Sequence, residues 1–219
     1  MVRAVIFDVD GVLVDSYGPH FRSWRALAAE SGFDITEAQF AETFGKTSRD
    51  IIRRFWHRDA GDVSRVSELD DRKEALYRRI VSEDFPTMDG APELLEALHR
   101  DGFVLAVGSS GPPENVELAL DRLGKRELVA AAVTGADVTR GKPDPQVFLI
   151  AAGRLAASPA ECAVVEDAPD GVRAARAAGM AVVALLSTGR RESDFEEARP
   201  DLIVASLREL SPEILRALR

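Results

Sequence analysis

The chain has 219 residues, of which 46% are hydrophobic and 30% charged, and its formal net charge at pH 7 is −9. This composition is typical of a globular protein and excludes fibrous and disordered classes. The excess of 37 acidic over 28 basic residues argues against a protein whose main task is to bind nucleic acid. If the ligand is nevertheless a phosphate, a metal ion and a few placed cations must overcome the repulsion.

The chain shows no pattern for export or membrane insertion. The apolar run after Arg3 is too short for a signal peptide and is broken by Asp8. No later stretch approaches the roughly 20 apolar residues of a membrane span. We therefore expect a cytoplasmic monomer with no nucleic-acid or membrane partner. The single cysteine, Cys162, lies in an apolar run and is interpreted as a buried structural thiol.

The first predicted element is a short strand that ends in a polar turn. Val5, Ile6 and Phe7 are β-branched or aromatic, as a buried strand requires, and Asp8 and Asp10 mark its carboxyl end. In an open α/β sheet this end is where ligands bind. Two aspartates one residue apart can hold a hard divalent cation, or can act as nucleophile and acid. An ordinary polar turn explains this pattern, taken alone, equally well.

A helical segment follows this turn. Apolar residues at helical spacing predict helices at residues 21–31, 37–44, 48–56 and 68–82. No strand pattern occurs between residues 14 and 85. We therefore predict a helical domain at 16–85, inserted into an α/β core that comprises residues 1–15 and 86–219.

From residue 91 the sequence alternates between helices and short apolar strands. Helices are predicted at 92–100, 113–123, 145–156 and 170–178, and strands at 103–107, 128–133, 162–165, 181–185 and 202–204. The alternation indicates parallel βαβ units in a doubly wound, Rossmann-like sheet. We place the first strand in the same sheet because it is too short and too apolar to stand alone.

Four polar clusters lie just past the ends of predicted strands. They are Asp8 with Asp10, Ser109, Lys142, and Glu166 with Asp167. Because the carboxyl ends of parallel strands share one edge, we expect these side chains to converge. Each cluster also has a plainer explanation. Ser109 and the Glu166–Asp167 pair can be helix caps, and Lys142 can be a solvated loop charge.

The chemistry that fits the whole set is phosphoryl transfer. A divalent cation held by Asp8, Asp10 and Asp167 would neutralise phosphate charge, and a carboxylate would attack phosphorus. The Lys142 ammonium would balance charge, while the Ser109 hydroxyl and nearby backbone N–H groups would donate to phosphate oxygens. Little more is required, because phosphoryl transfer depends mainly on positioning and electrostatics.

Four stretches resemble the motifs of the haloacid dehalogenase superfamily, in order and at suitable spacing. They are Asp-x-Asp-Gly-Val-Leu-x-Asp-Ser from Asp8, Gly-Ser-Ser from Gly108, Gly-Lys-Pro-Asp-Pro from Gly141, and Val-Val-Glu-Asp-Ala-Pro-Asp-Gly-Val-Arg-Ala-Ala-Arg-Ala-Ala-Gly-Met from Val164. The resemblance spans nearly the whole chain. Within the superfamily it is greatest to the branch of β-phosphoglucomutase and phosphoglycolate phosphatase-type enzymes, which have a helical cap between the first two motifs.

The resemblance implies a Mg²⁺-dependent phosphatase that acts on a small phosphorylated metabolite, such as a sugar phosphate, through an aspartyl-phosphate. Asp8 would be the nucleophile and Asp10 the general acid and then the base, with Lys142 as a further catalytic residue. Mg²⁺ would be bound by the Asp8 carboxylate, the Asp10 carbonyl and Asp167. Glu166 would be a further ligand or a partner of the ligands.

The phosphate group would be bound by Gly11, Ser109, Ser110 and Lys142. The aspartate at position 10 argues against the dehalogenases of the superfamily, which by resemblance lack it. A hexose phosphate mutase is the alternative, with a sugar hydroxyl instead of water as the acceptor. A non-catalytic metabolite-binding protein is a third hypothesis, but it would be expected to lack some of the motif residues, and all are present.

The cap would supply the substrate contacts. Residues 20–24 resemble the first cap helix of β-phosphoglucomutase, and residues 45–49 resemble its substrate-facing loop. The expected substrate residues are His20, Trp24, Gly45, Lys46 and Arg49. The alternatives are a surface histidine, a tryptophan in the cap core and an arginine on a helix face. The cap is expected to hinge about residues 14–17 and 85–89 and to close over the site.

The sequence departs from the family pattern at two places. These departures affect the prediction of the substrate more than the prediction of the reaction. Tyr17 stands where many relatives carry Glu, and no cation follows the Ser-Ser of the second motif closely.

Overall fold

The structure is a computed structural model that describes residues 1–43, 47–57 and 61–218. It divides into two compact units. The core unit comprises Met1–Asp15 and Thr87–Arg219, and the helical unit comprises Ser16–Pro86. Within the described ranges, every helix is too short or too polar to cross a lipid bilayer.

The described part of the helical unit contains helices α1 (Tyr17–Glu30), α2 (Glu37–Ala41), α3 (Ser48–Phe55) and α4 (Val63–Glu83). The side chains of Thr36, Thr47 and Asp62 cap α2, α3 and α4 by accepting a backbone N–H. The Asp62 cap explains why α4 begins several residues before the predicted start. The apolar faces of the helices pack into one cluster that includes Trp24 and Trp56.

The described core unit contains six strands: β1 (Ala4–Phe7), β2 (Val104–Gly108), β3 (Val129–Val133), β4 (Cys162–Glu166), β5 (Ala181–Leu185) and β6 (Leu202–Val204). They form one parallel sheet in the order β3-β2-β1-β4-β5-β6, which confirms the predicted fold class. β1 belongs to the same sheet, as predicted, although the helical unit separates it in sequence from β2, and it lies between β2 and β4. All four of its residues are buried, so both faces of the sheet are covered there.

Five helices accompany these strands in the described part of the core unit: α5 (Ala91–Arg100), α6 (Pro113–Leu123), α7 (Gln146–Arg154), α8 (Pro169–Ala177) and α9 (Pro212–Ala217). Proline at the first or second position of α5, α6, α8 and α9 suits a helix start, where an N–H has no intrahelical partner. The sequence pattern missed α9, which has six residues and too few turns for a clear periodicity.

Candidate active site

Lys142 lies at the centre of the polar groups at the carboxyl edge of the sheet. Its Nζ donates to Asp8 Oδ1 at 2.7 Å, to Glu166 Oε1 at 2.5 Å and to the Gly108 carbonyl at 3.3 Å. These three acceptors stand at the ends of β1, β4 and β2. The Lys142 side chain is only 11% exposed, so the interpretation as a solvated loop charge is wrong.

Local packing directs Lys142 into this position from the loop that follows β3. Its Nζ lies 5.0 Å from the centroid of the Phe148 ring on α7, a distance at which the ring face attracts a cation. Gly108 ends β2 beside the same ring, and a Cβ there would lie 3.2 Å from it. A larger residue at 108 would therefore crowd the ring that supports the lysine.

Three buried carboxylates surround the lysine. Ligand oxygens of Asp8, Glu166 and Asp167 all lie within 4.8 Å of one another. Three carboxylates and one ammonium leave two net negative charges, which one divalent cation would balance. Oxygen ligands of this kind are what Mg²⁺ and Ca²⁺ prefer, so the residues fit such a cation.

The pKa shifts of the clustered carboxylates also indicate that the cluster has too little positive charge. Burial raises the pKa of Asp8 well above its usual value, and the neighbouring carboxylates raise it further, against the Lys142 ammonium. Burial and Glu166 raise the pKa of Asp167 to about 7, against the charge of Arg190. Burial by itself would lower the pKa of Lys142, but the two carboxylates bonded to it outweigh burial and raise it.

Glu166 is the last residue of β4, and its two oxygens have separate partners. Oε1 accepts from Lys142, while Oε2 accepts the backbone N–H groups of Asp167 and Ala168, both at 2.9 Å. Gly171 leaves room for this carboxylate, because a Cβ at that position would overlap it. The side chain therefore fixes the turn into α8 and also faces the site, so a helix cap does not describe it fully.

Asp167 is held from two sides. Gly11 has φ +77, and a Cβ there would overlap the Asp167 carboxylate. On the other side, the hydroxyls of Ser187 and Thr188 donate to Asp167 Oδ2 at 3.3 and 3.2 Å. Neither hydroxyl was among the residues predicted from sequence, although both follow the end of β5 as the other polar clusters follow their strands.

Ser109 links the ends of β2 and β3. It is 2% exposed, its N–H donates to the Val133 carbonyl at 3.0 Å, and its Oγ accepts the N–H of Gly111 at 2.9 Å. Helix α6 is capped by Pro112 and has no side-chain cap, so the interpretation of Ser109 as a helix cap is wrong.

The Asp10 carboxylate lies near the same loop. A Cβ added to Gly111 would be 3.2 Å from Ser109 Oγ and 3.7 Å from Asp10 Oδ2. The Asp10 side chain is outside the carboxylate cluster found among the described residues. Ser110, expected to bind phosphate, is exposed.

The helical unit holds a second buried cation. Lys73 has a side chain 3% exposed and donates to Glu74 Oε1 at 2.8 Å. Its Nζ also lies 2.9 Å from His20 Nδ1, and the His20 ring stacks on Tyr77 with centroids 4.0 Å apart. His20 is therefore a partly buried member of a polar cluster, and not simply a surface histidine.

The other expected substrate residues of the helical unit differ in their surroundings. Trp24 is 2% exposed and belongs to the core of the unit, which supports the core alternative. Arg49 has a side chain 64% exposed, with Nε 3.9 Å from Asp70 Oδ2. Gly45 and Lys46 lie outside the described residues.

Comparison with known proteins identifies the family of this chain and shows solved structures with the same fold. Residues 2–179 match the model of a family described as haloacid dehalogenase-like hydrolase. Validoxylamine A 7′-phosphate phosphatase of Streptomyces hygroscopicus subsp. limoneus is 32% identical over 213 residues, which cover 96% of either chain. β-Phosphoglucomutase of Bacillus subtilis is 30% identical over 188 residues, 83% of this chain and 82% of that one. The crystal structure of a family IA, variant 3 hydrolase from Entamoeba histolytica superposes with a TM-score of 0.89 at 24% identity, covering 98% of both chains.

Proposed function

The chain belongs to the haloacid dehalogenase-like hydrolase family, and we propose that it is a Mg²⁺-dependent phosphatase of a small phosphorylated metabolite. The observation that carries the proposal is the contact of Lys142 with Asp8 and Glu166 beside Asp167. A nucleophilic carboxylate, a cation-binding cluster and a fixed ammonium are together what phosphate ester cleavage needs.

We assign the covalent step to Asp8. One of its oxygens forms a bond to phosphorus as the ester P–O bond breaks, which yields an aspartyl-phosphate. Asp10 gives a proton to the departing oxygen. It then takes a proton from the water that attacks phosphorus, so that inorganic phosphate leaves and both carboxylates return to their starting state.

The remaining residues position and neutralise charge. The carboxylates of Asp8, Glu166 and Asp167 would hold Mg²⁺, which when bound would neutralise phosphate charge. Lys142 holds Asp8 through Oδ1 and adds a positive charge beside the reacting phosphorus. Ser109, whose Oγ accepts from Gly111, still has a proton to donate to a phosphate oxygen.

The substrate is proposed to be a phosphorylated carbohydrate or a similar polyol. The names of two relatives support this class, since one is the phosphatase of validoxylamine A 7′-phosphate and another is a β-phosphoglucomutase. The net charge of −9 makes a large polyanion a poor substrate.

A hexose phosphate mutase is the second candidate, and His20 is the observation that favours it. The Lys73 ammonium can only donate, so His20 Nδ1 accepts and the ring proton lies on Nε2. A histidine held in one tautomer can pass a proton to or from a sugar hydroxyl, which is the acceptor in a mutase.

One experiment separates these functions. The purified protein is incubated with Mg²⁺ and a panel of phosphorylated sugars and polyols, and released phosphate is measured. We expect phosphate release, and none from the Asp8→Asn variant, whose folding is checked by circular dichroism. Full turnover by that variant would refute the covalent mechanism. β-Glucose 1-phosphate is tested with a catalytic amount of glucose 1,6-bisphosphate, and glucose 6-phosphate formed without net phosphate release would favour the mutase.

A further inference from the structure

The loop that follows β5 carries two hydroxyls to the carboxylate cluster. We propose that Ser187 and Thr188 are positioning residues that orient Asp167 for cation binding, with Thr188 as the principal donor. This inference rests on the metal site of the proposed function. The sequence predicts a site built from residues that follow four strands, and this inference adds two residues that follow a fifth strand, β5.

The two hydroxyls have different tasks. Ser187 Oγ donates to the Gly11 carbonyl at 2.6 Å and lies 3.3 Å from Asp167 Oδ2. Because a hydroxyl has a single proton, the shorter bond to Gly11 takes most of it. Ser187 therefore ties the β5 loop to the turn after β1, and Thr188, at 3.2 Å, is the main donor to Asp167 Oδ2.

Hydroxyl groups suit this task because they orient a carboxylate without cancelling its charge. An ammonium or guanidinium in direct contact with Asp167 would compete with a divalent cation. The Thr188 hydroxyl, with a weaker contact from Ser187, occupies Oδ2 and favours Oδ1 as the oxygen that binds the cation. The Cα of Gly11 packs against the same carboxylate, so Asp167 has little freedom to rotate.

The backbone of Thr188 supplies an independent argument. Its φ is +55, in the left-handed region that β-branched residues rarely adopt. Glycine or asparagine would enter that region at lower cost, and the next residue is a glycine with φ +77. Ala156 and Arg199 have similar φ values of +50 and +53, so the strain alone does not mark a site, but a threonine facing Asp167 at a strained position is explained if its hydroxyl is needed there.

Three substitutions separate the hydroxyl from the strain. Thr188→Val keeps the branched shape and removes the hydroxyl, Thr188→Gly removes both the hydroxyl and the strain, and Thr188→Ser keeps the hydroxyl. Ser193→Ala is the matched control, because Ser193 is an exposed residue just beyond the same loop. A purely structural role of Thr188 would change stability in these variants but not cation affinity.

The main measurement is Mn²⁺ binding to metal-free protein, followed by electron paramagnetic resonance. We expect Thr188→Val and Thr188→Gly to raise the dissociation constant roughly 10- to 100-fold, and Thr188→Ser and Ser193→Ala to keep the wild-type value. Thermal unfolding in EDTA should show Thr188→Gly to be at least as stable as the wild type, because it removes strain.

Activity supplies a second readout. In Thr188→Val, the Mg²⁺ concentration for half-maximal phosphatase activity should rise, while the rate at saturating Mg²⁺ should return toward that of the wild type. Wild-type Mn²⁺ affinity in Thr188→Val would overturn this inference and leave the proposed function standing. Absence of Mn²⁺ binding by the wild type would overturn the metal site and this inference together.

Discussion

Replacing Lys142 by methionine tests the central contact of the site. The change removes the ammonium that contacts Asp8 and Glu166 and leaves three buried carboxylates within 4.8 Å of one another. Removing one partner of a buried ion pair costs about 3 to 5 kcal/mol, and Lys142 is 11% exposed with two such partners. We therefore expect the metal-free variant to lose about that much free energy of unfolding at pH 7.

Lys125 provides a matched control. Its Nζ lies 2.5 Å from Glu96 Oε1, the same distance that separates Lys142 from Glu166, but the side chains of this pair are 25% and 44% exposed, against 11% and 1% for Lys142 and Glu166. Exposed pairs contribute little because water screens them. Lys125→Met should therefore destabilise the protein far less than Lys142→Met.

The loss in Lys142→Met should depend on pH and on Mg²⁺. Burial already raises the pKa of Asp8, and without the Lys142 ammonium that pKa must rise further, so the stability that Asp8 contributes is present below its unfolded pKa and is lost as pH rises. The difference between variant and wild type should thus be largest near pH 7 and shrink toward pH 4. Mg²⁺ should stabilise the variant, because the cation supplies the missing positive charge.

The assay is urea unfolding followed by far-ultraviolet circular dichroism, in EDTA and in Mg²⁺. Tryptophan fluorescence is unsuitable because both tryptophans, Trp24 and Trp56, belong to the helical unit. Phosphatase activity should fall by at least the roughly 10²- to 10³-fold that loss of one transition-state donor causes. A Lys142→Met variant no less stable than Lys125→Met, and still active, would refute this account of the site.

Two further predictions concern Gly11 and Cys162. Gly11→Ala should weaken Mn²⁺ binding and activity, because the added Cβ would overlap the Asp167 carboxylate. Gly102→Ala is the control, since Gly102 has a similar φ of +84 but no atom within 4 Å of an added Cβ. Equal Mn²⁺ affinity in the two variants would contradict the prediction. Cys162 is fully buried, and burial raises the pKa of its thiol to about 11, so it should react with Ellman's reagent at pH 8 only after unfolding in urea. Rapid labelling of the native protein would show that the thiol is accessible.

Much of the core unit could be predicted from local sequence patterns. The predicted helix at 113–123 and the predicted strands at 181–185 and 202–204 coincide with α6, β5 and β6. Apolar runs bounded by proline, glycine and polar caps are properties of neighbouring residues, so sequence alone is enough to locate them. The same patterns missed α9 and the first residues of α1 and α4, where few apolar residues mark the helix.

In the candidate site, sequence predicted some of the residues that meet but not what each one contacts. The rule that parallel strands end at one edge predicted the meeting of Asp8 and Lys142, which are 134 positions apart. It did not show that Lys142 is the central partner, that Gly11 packs on Asp167, or that Ser187 and Thr188 orient that carboxylate. Those contacts depend on loop conformation and on side-chain packing between strands distant in sequence. For the same reason, the burial of Lys73 in the helical unit could not be predicted from sequence, because no local pattern identifies the partner of a lysine in a charged helix.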